Sequence, residues 1–229
     1  MPPTWLSDLS WAALALAGVC AVWIAGDQWL SGHRQQMAVM EAVWPVTALY
    51  FGPLAVWAYR SFGRPKSPQW RAEHGYDEPP ERPSWTAVAT GVSHCGAGCT
   101  LGDLAAEWAV FGAGASIAGL ALLPEYIGDY LLALAFGIAF QYFAIAPMRG
   151  LGLRKGLVEA AKADFLSLSS FEIGLFGWMA LTQLVFFPHH LRPDQPTYWF
   201  FMQVGMIVGF FTAYPTNVWL IRRGIKEAM

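Results

Sequence analysis

Soft donor atoms stand together in His94-Cys95-Gly96-Ala97-Gly98-Cys99, in the middle of an otherwise apolar stretch from about Trp85 to Gly114. Thiolate and imidazole are donors that a thiophilic cation selects. Two cysteines one helical turn apart put both sulfurs on the same side of a helix. The chemistry on offer is therefore binding of a soft metal, Cu(I) first, at membrane depth. Asp103 and Glu107 continue Cys95 and Cys99 at the same spacing, so the four form one polar stripe that drifts about 40° per step, with His94 about 100° to one side. For Zn(II), the alternative ion, Asp103 is the fourth ligand; for Cu(I) it suits charge compensation. Against this stands plain packing, with Gly98-x-x-x-Gly102 a close-contact face and the cysteines small core residues. For either cysteine alone we prefer packing; for His94, Cys95 and Cys99 together we prefer the metal.

Glu172 lies in Ser167-Leu168-Ser169-Ser170-Phe171-Glu172-Ile173, deep in another apolar run. An isolated carboxylate there is costly, so the group is protonated, paired or coordinated. Glu172, Glu107 and Asp164 form an expected proton or charge relay, with Asp164 also suited to cap a helix or to pair with Lys162 or Arg222. Met202 and Met206 share a helix face and offer thioethers to Cu(I), although such a pair is more often packing. Pro215 in Tyr214-Pro215-Thr216-Asn217 breaks the helical hydrogen-bond ladder, and Asn217 is placed to satisfy the freed backbone. His33, His189 and His190 fall in connectors, where histidines are usually solvated.

These residues need elements that cross a bilayer. The chain has 229 residues, 55% of them hydrophobic and only 13% charged, where soluble domains carry about a quarter charged residues. With a mean hydropathy of +0.37, this predicts an all-α, polytopic transmembrane helical bundle. About six segments reach the roughly 20 apolar residues of a span: 9–30, 39–59, 85–113, 125–146, 164–187 and 197–221. No Lys or Arg precedes the first apolar run and no small-residue cleavage site follows it, so that span is expected to be retained. The Pro- and charge-rich stretch 61–83 reads as a cytoplasmic linker between a two-helix part, 1–60, and a four-helix core, 84–229. With a cytoplasmic N-terminus, Arg60, Arg64, Lys66, Arg71, Arg82, Arg149, Arg154, Lys155, Lys162, Arg222, Arg223 and Lys226 fall inside, and only Arg34 and Arg192 outside. That partition predicts that both termini are cytoplasmic in a bacterial inner (plasma) membrane. Asp27, His33, Glu125, Asp129, His189 and His190 then mark the outer side, with Tyr126, Tyr198 and Trp199 among the interface aromatics.

Depth at about 1.5 Å per residue places His94 to Cys99 roughly 14–21 Å into the third span, level with Glu172 and the two methionines. A net charge of -2 provides no basic field for nucleic acid. The expected partners are the lipid bilayer, a metal ion and either a second copy or a membrane complex. No Walker loop, GxSxG or HExxH occurs, so nucleotide-driven and familiar hydrolytic chemistry lacks support. Whether the protein is an enzyme stays open. One alternative is a thiol redox enzyme or subunit, since Cα atoms at i, i+4 lie about 6 Å apart, within disulfide reach. The other is a structural or assembly subunit, using the faces Gly98/Gly102, Gly205/Gly209 and Gly174/Gly177/Ala180.

His94-Cys95-x-x-Gly98-Cys99-x-x-Gly102-Asp103, then Ala163-Asp164 with Glu172-Ile173, then Tyr214-Pro215-Thr216-Asn217-x-Trp219-Leu220-Ile221 resemble the bacterial membrane proteins grouped as domain of unknown function 4396. The resemblance covers about Ser84 to the C-terminus and implies a shared four-helix part to which the first two spans are an addition. It implies no established activity. A histidine-rich segment ahead of the His-Cys motif in the family hints at metal handling; this chain has only His74 in that linker, and Asp103 where many relatives carry glutamate.

Overall fold

The computed structural model describes residues 2–81, 83–117, 122–150, 152–187 and 189–226, leaving aside the side chains of 145–149 and of Ala163. Two members of the charge partition, Arg82 and the side chain of Arg149, lie outside the described residues. The described chain is helical: α1 (Thr4–Trp29), α2 (Met40–Phe51), α3 (Pro53–Ala58), α4 (Pro68–His74), α5 (Ser84–Ala113), α6 (Leu122–Arg149), α7 (Leu153–Leu181) and α8 (Pro196–Arg222). Single π-helical turns extend α3 over Tyr59–Gly63 and α7 over Thr182–Phe186. Four segments are long and apolar enough to cross a membrane: Thr4–Trp29, Leu122–Ala144, Asp164–Phe186 and Pro196–Arg222.

The longest helix, α5, has 30 residues and is less apolar than those four because it carries the polar stripe. It makes up for this by burial, packing against α2, α6, α7 and α8. Pro83 precedes it, and Gly114 at φ 61° ends it in a left-handed turn. Its glycines set the spacing to neighbours. A Cβ on Gly98 would lie 2.9 Å from the Gly137 Cα, and one on Gly102 would run into the backbone of Leu132 and Ala133. The close-packing reading of Gly98-x-x-x-Gly102 therefore holds for the glycines, which let α6 approach α5. On α8, Gly209 admits Phe171 of α7 in the same way.

The second expected span, 39–59, is not one helix. Its first part, α2, is 12 residues long, about 18 Å against a hydrocarbon core of about 30 Å. Gly52 at φ 52° and ψ −126°, followed by Pro53 at the first position of α3, ends the helix and turns the chain back. The return is fixed by contacts at the far end of α1. The Tyr59 hydroxyl donates to Asp27 Oδ2 at 2.8 Å, and Arg64 Nε lies 3.3 Å from the same oxygen. The Trp44 and Tyr59 rings meet edge to face at 5.7 Å. Thus α2 and α3 form a helical hairpin that enters the bundle and leaves at the same end.

This corrects the expected sidedness. His33, in the connector between α1 and α2, lies 3.6 Å from Glu73 of α4, so connector and linker share one end of the molecule. The linker is also not all loop, since Ser67 caps α4 by accepting the Trp70 N–H at 3.2 Å. Leu14 and Ala17 of α1 line a cavity with Trp199 and Met202 of α8, which sets the start of α1 beside the start of α8. At the opposite end, Phe62 meets Trp85 at 5.4 Å, the Tyr214 hydroxyl donates to the Trp85 carbonyl, and Lys226 reaches Asp164. The two ends of the described chain therefore lie at opposite ends of the bundle. The expectation that they share one side required a full second crossing, which the hairpin removes.

Candidate functional site

His94, Cys95, Cys99 and Asp103 are fully buried and Glu107 is 2% exposed. Both cysteines are free thiols, and they contact each other one turn apart on α5. Two other elements converge on them. From α7, Glu172 meets the Cys99 thiol. From the hairpin, Tyr50 near the tip turns its hydroxyl toward the pair, close to Gly96. A side chain on Gly96 would collide with the Phe171 ring at 2.9 Å and the Tyr50 hydroxyl at 3.0 Å, so the glycine lets α7 and the hairpin close on α5.

His94 does not join the thiols. Its ring faces α6, with the Phe140 ring edge-on at a centroid distance of 6.0 Å and the Phe140 backbone beside it. Met206 turns to another face, where Thr100 Oγ1 lies 3.6 Å from its sulfur. Met202 and Met206 line a cavity of about 270 Å³ toward α1. Among the described residues, no group of three or more His, Cys, Asp or Glu side chains converges as a metal cage. Of the expected soft donors, Cys95, Cys99, Met202 and Met206 share one buried cluster, while the His94 ring lies against Phe140 of α6.

Asp103 faces Glu172 on one side and Glu107 on the other. Glu107 in turn meets Asp129 of α6 and the Tyr198 hydroxyl of α8. Glu125, one turn before Asp129, completes a row of carboxyls toward the start of α6. Both oxygens of Asp103 and of Glu172, Oε2 of Glu107 and Oδ1 of Asp129 have no hydrogen-bond partner among the described residues. Two carboxylates in contact in a dry interior are not both ionised unless a cation stands between them.

Asp164 belongs to a different group. Its carboxylate pairs with Lys226 Nζ at 3.3 Å, both side chains buried, while Lys162 pairs with Glu159 at 3.1 Å. The expected partners Lys162 and Arg222 are thus replaced by a residue past the end of α8. Lys226 also donates to Ser167 Oγ at 3.4 Å, and Asn217 Nδ2 donates to Ser167 Oγ and to the Ala213 carbonyl. The Asn217 bond to Ser167 ties α8 to α7; the carbonyl that Pro215 leaves free is that of Phe211, four residues back, so the Ala213 contact of Asn217 is not the expected repair of the break.

Sequence reasoning missed Tyr50, Lys226 and the inward face of Glu125 and Asp129. The spacing of Glu125 and Asp129, i, i+4 on one helix, was the available signal for a shared face.

These features define a helical protein with four helices built to cross a membrane and a buried thiol and carboxyl row on a fifth long helix. The chain belongs to the family described as Domain of unknown function (DUF4396), whose model matches residues 84–226. The match begins at the first residue of α5, so the hairpin lies ahead of it. No match was found among curated proteins or among solved structures.

Proposed function

We propose that the protein is an integral membrane carrier that binds Cu(I) between Cys95 and Cys99 and moves or delivers it across a bacterial inner membrane. The observation that supports this most is the pair of touching, fully buried thiols met by Glu172 and faced by no basic side chain at hydrogen-bond distance among the described residues. Thiolates supply the affinity, and the neighbouring carboxyls Glu172 and Asp103 take up the charge and proton changes that accompany ion entry and exit. Met202 and Met206, in the same buried cluster, serve as secondary donors, and His94 does so only after its ring turns from Phe140.

In this reading five helices, α1, α5, α6, α7 and α8, cross the bilayer and α2–α3 is re-entrant. Non-helical backbone at that depth is tolerated where protein covers it. Arg34, Arg60, Arg64, Lys66, Arg71, Arg154, Lys155, Lys162, Arg222, Arg223 and Lys226 then share one end with only Arg192 at the other, so the basic end is cytoplasmic.

The test is elemental analysis of the purified protein. The wild type is expected to carry copper and the Cys95→Ala, Cys99→Ala variant to have lost it; equal metal content in the two overturns the assignment. Contact between the two thiols also supports a second reading, a dithiol–disulfide redox centre. Alkylation under reducing and oxidising conditions separates them, because a redox centre yields an oxidised pair that resists the reagent until reduced.

A further inference from the structure

The outer carboxyls have no role in holding a thiophilic ion, yet they are buried and incompletely partnered. Glu107 and Asp129 are neighbours across the α5–α6 seam, where a Cβ on Gly128 would lie 3.4 Å from the Ala106 Cβ; each is 2% exposed, with Glu107 Oε2 and Asp129 Oδ1 left without partners among the described residues. Asp103, fully buried with both oxygens unpartnered, points toward this pair from one turn deeper on α5. Every neighbouring element contributes acids or neutral groups: Asp103 from α5, Glu125 from α6, Glu172 from α7 and Tyr198 from α8. Tyr126, also on α6, spends its hydroxyl on the Phe176 carbonyl at 2.8 Å. Among the described residues, no Lys, Arg or His forms an ion pair with Glu107 or Asp129.

Something positive must offset this row. A hard metal ion needs six or more oxygen ligands at short range, and the described side chains gather no such cage. A proton needs only two facing oxygens, and two carboxyls in contact supply them. Position gives the direction. Glu107 lies six residues from the end of α5, about 9 Å along the axis, and Asp103 about 6 Å deeper. Glu125 is 8% exposed, nearest the water at the start of α6.

We propose that Glu107 and Asp129 form a proton-carrying site, the outer half of a relay running from water at Glu125 through Asp103 toward Glu172 and the thiol pair. The proton arrives from water as hydronium and forms an O–H bond on Glu125. It leaves that oxygen for the Glu107–Asp129 pair, and then passes to Asp103. Each step breaks one O–H bond and makes one, so a single positive charge moves inward and no oxidant or reductant is needed. The Tyr198 hydroxyl orients the shared carboxyl. The inner terminus of the relay rests on the copper reading; the outer pair does not.

The test uses the full chain in proteoliposomes with an entrapped pH-sensitive dye and an imposed membrane potential, with and without Cu(I). Wild type is expected to acidify the lumen, and the Glu107→Gln, Asp129→Asn variant to fall to the level of empty vesicles while keeping its copper content. Proton flux at the wild-type rate in that variant overturns the proposal, as does wild-type flux no greater than that of empty vesicles under either condition. Copper content is read separately, so loss of the metal reading leaves this one standing or falling by flux alone. If the double variant does not fold, wild-type protein decides. A membrane-permeant carbodiimide, which attacks protonated carboxyls, is expected to modify Glu107 or Asp129 and stop the flux; flux that survives full modification of either residue overturns the assignment.

Discussion

At the scale of residues, rotation about the helix axis separates the roles on α5, since His94, Cys95, Cys99 and Asp103 are equally buried. Cys95 and Cys99 are paired by the helix turn, whereas His94, one position earlier, is rotated onto α6 and Phe140. Glycines make the same distinction measurable. Gly102 packs on the α6 backbone, while a Cβ on Gly91 meets nothing within 4 Å. Gly102→Ala is expected to cost about 1–3 kcal/mol through overpacking, whereas Gly91→Ala gains about 0.5–1 kcal/mol from helix propensity. Thermal unfolding in detergent of the two variants checks this, and a Gly102→Ala variant as stable as Gly91→Ala would contradict the α5–α6 contact. The carboxyl at position 103 was legible as part of the stripe. Its unpartnered state was not, because the absence of a neighbour is a property of other helices.

At the scale of elements, the α2–α3 hairpin is the largest departure from the sequence reading. Its run of apolar residues is long enough for a span, yet Gly52-Pro53 turns it at mid-depth and Asp27 draws Tyr59 and Arg64 back to one end. Tyr59→Phe removes one hydrogen bond to a carboxylate that keeps Arg64, so a loss of about 1–2 kcal/mol in stability is expected. Single cysteines at Ser31 and Ala72, both exposed, are expected to react with an impermeant maleimide from the same side of sealed vesicles. Labelling from opposite sides would show a full crossing between them. Because Tyr50 reaches the thiols from this hairpin, the family-matched part 84–226 is completed here by a segment outside it.

At the scale of the whole molecule, charge is sorted by end. The basic residues of the connector, the linker, the start of α7 and the tail of α8 gather at one end, and there α4 docks through Glu73. The hydrogen bond from Gln69, with a smaller contribution from His33, holds the Glu73 carboxyl below its ordinary range. A depressed carboxyl pKa contributes above its unfolded value, about 4.3, and that contribution is lost as the pH falls through the lower folded value. Docking of α4 is therefore expected to be intact at neutral pH and to loosen as the pH falls through the lowered carboxyl value. Amide exchange across Pro68–His74 reads this, and Glu73→Gln is expected to show no such pH step.

The sequence by itself determined the all-helical class, the family, the polar stripe on α5 and the burial of Glu172, because periodicity and apolar run length are local properties of the chain. Only the tertiary structure decided that the His94 ring lies against Phe140, that Glu107 meets Asp129, that Lys226 pairs with Asp164, and that the two ends of the described chain lie at opposite ends of the bundle. Each of these depends on helix rotation and on the direction in which a segment returns. Rotation is set by which small residues let neighbours approach, and the return by a contact between Asp27 and Tyr59, 32 residues apart.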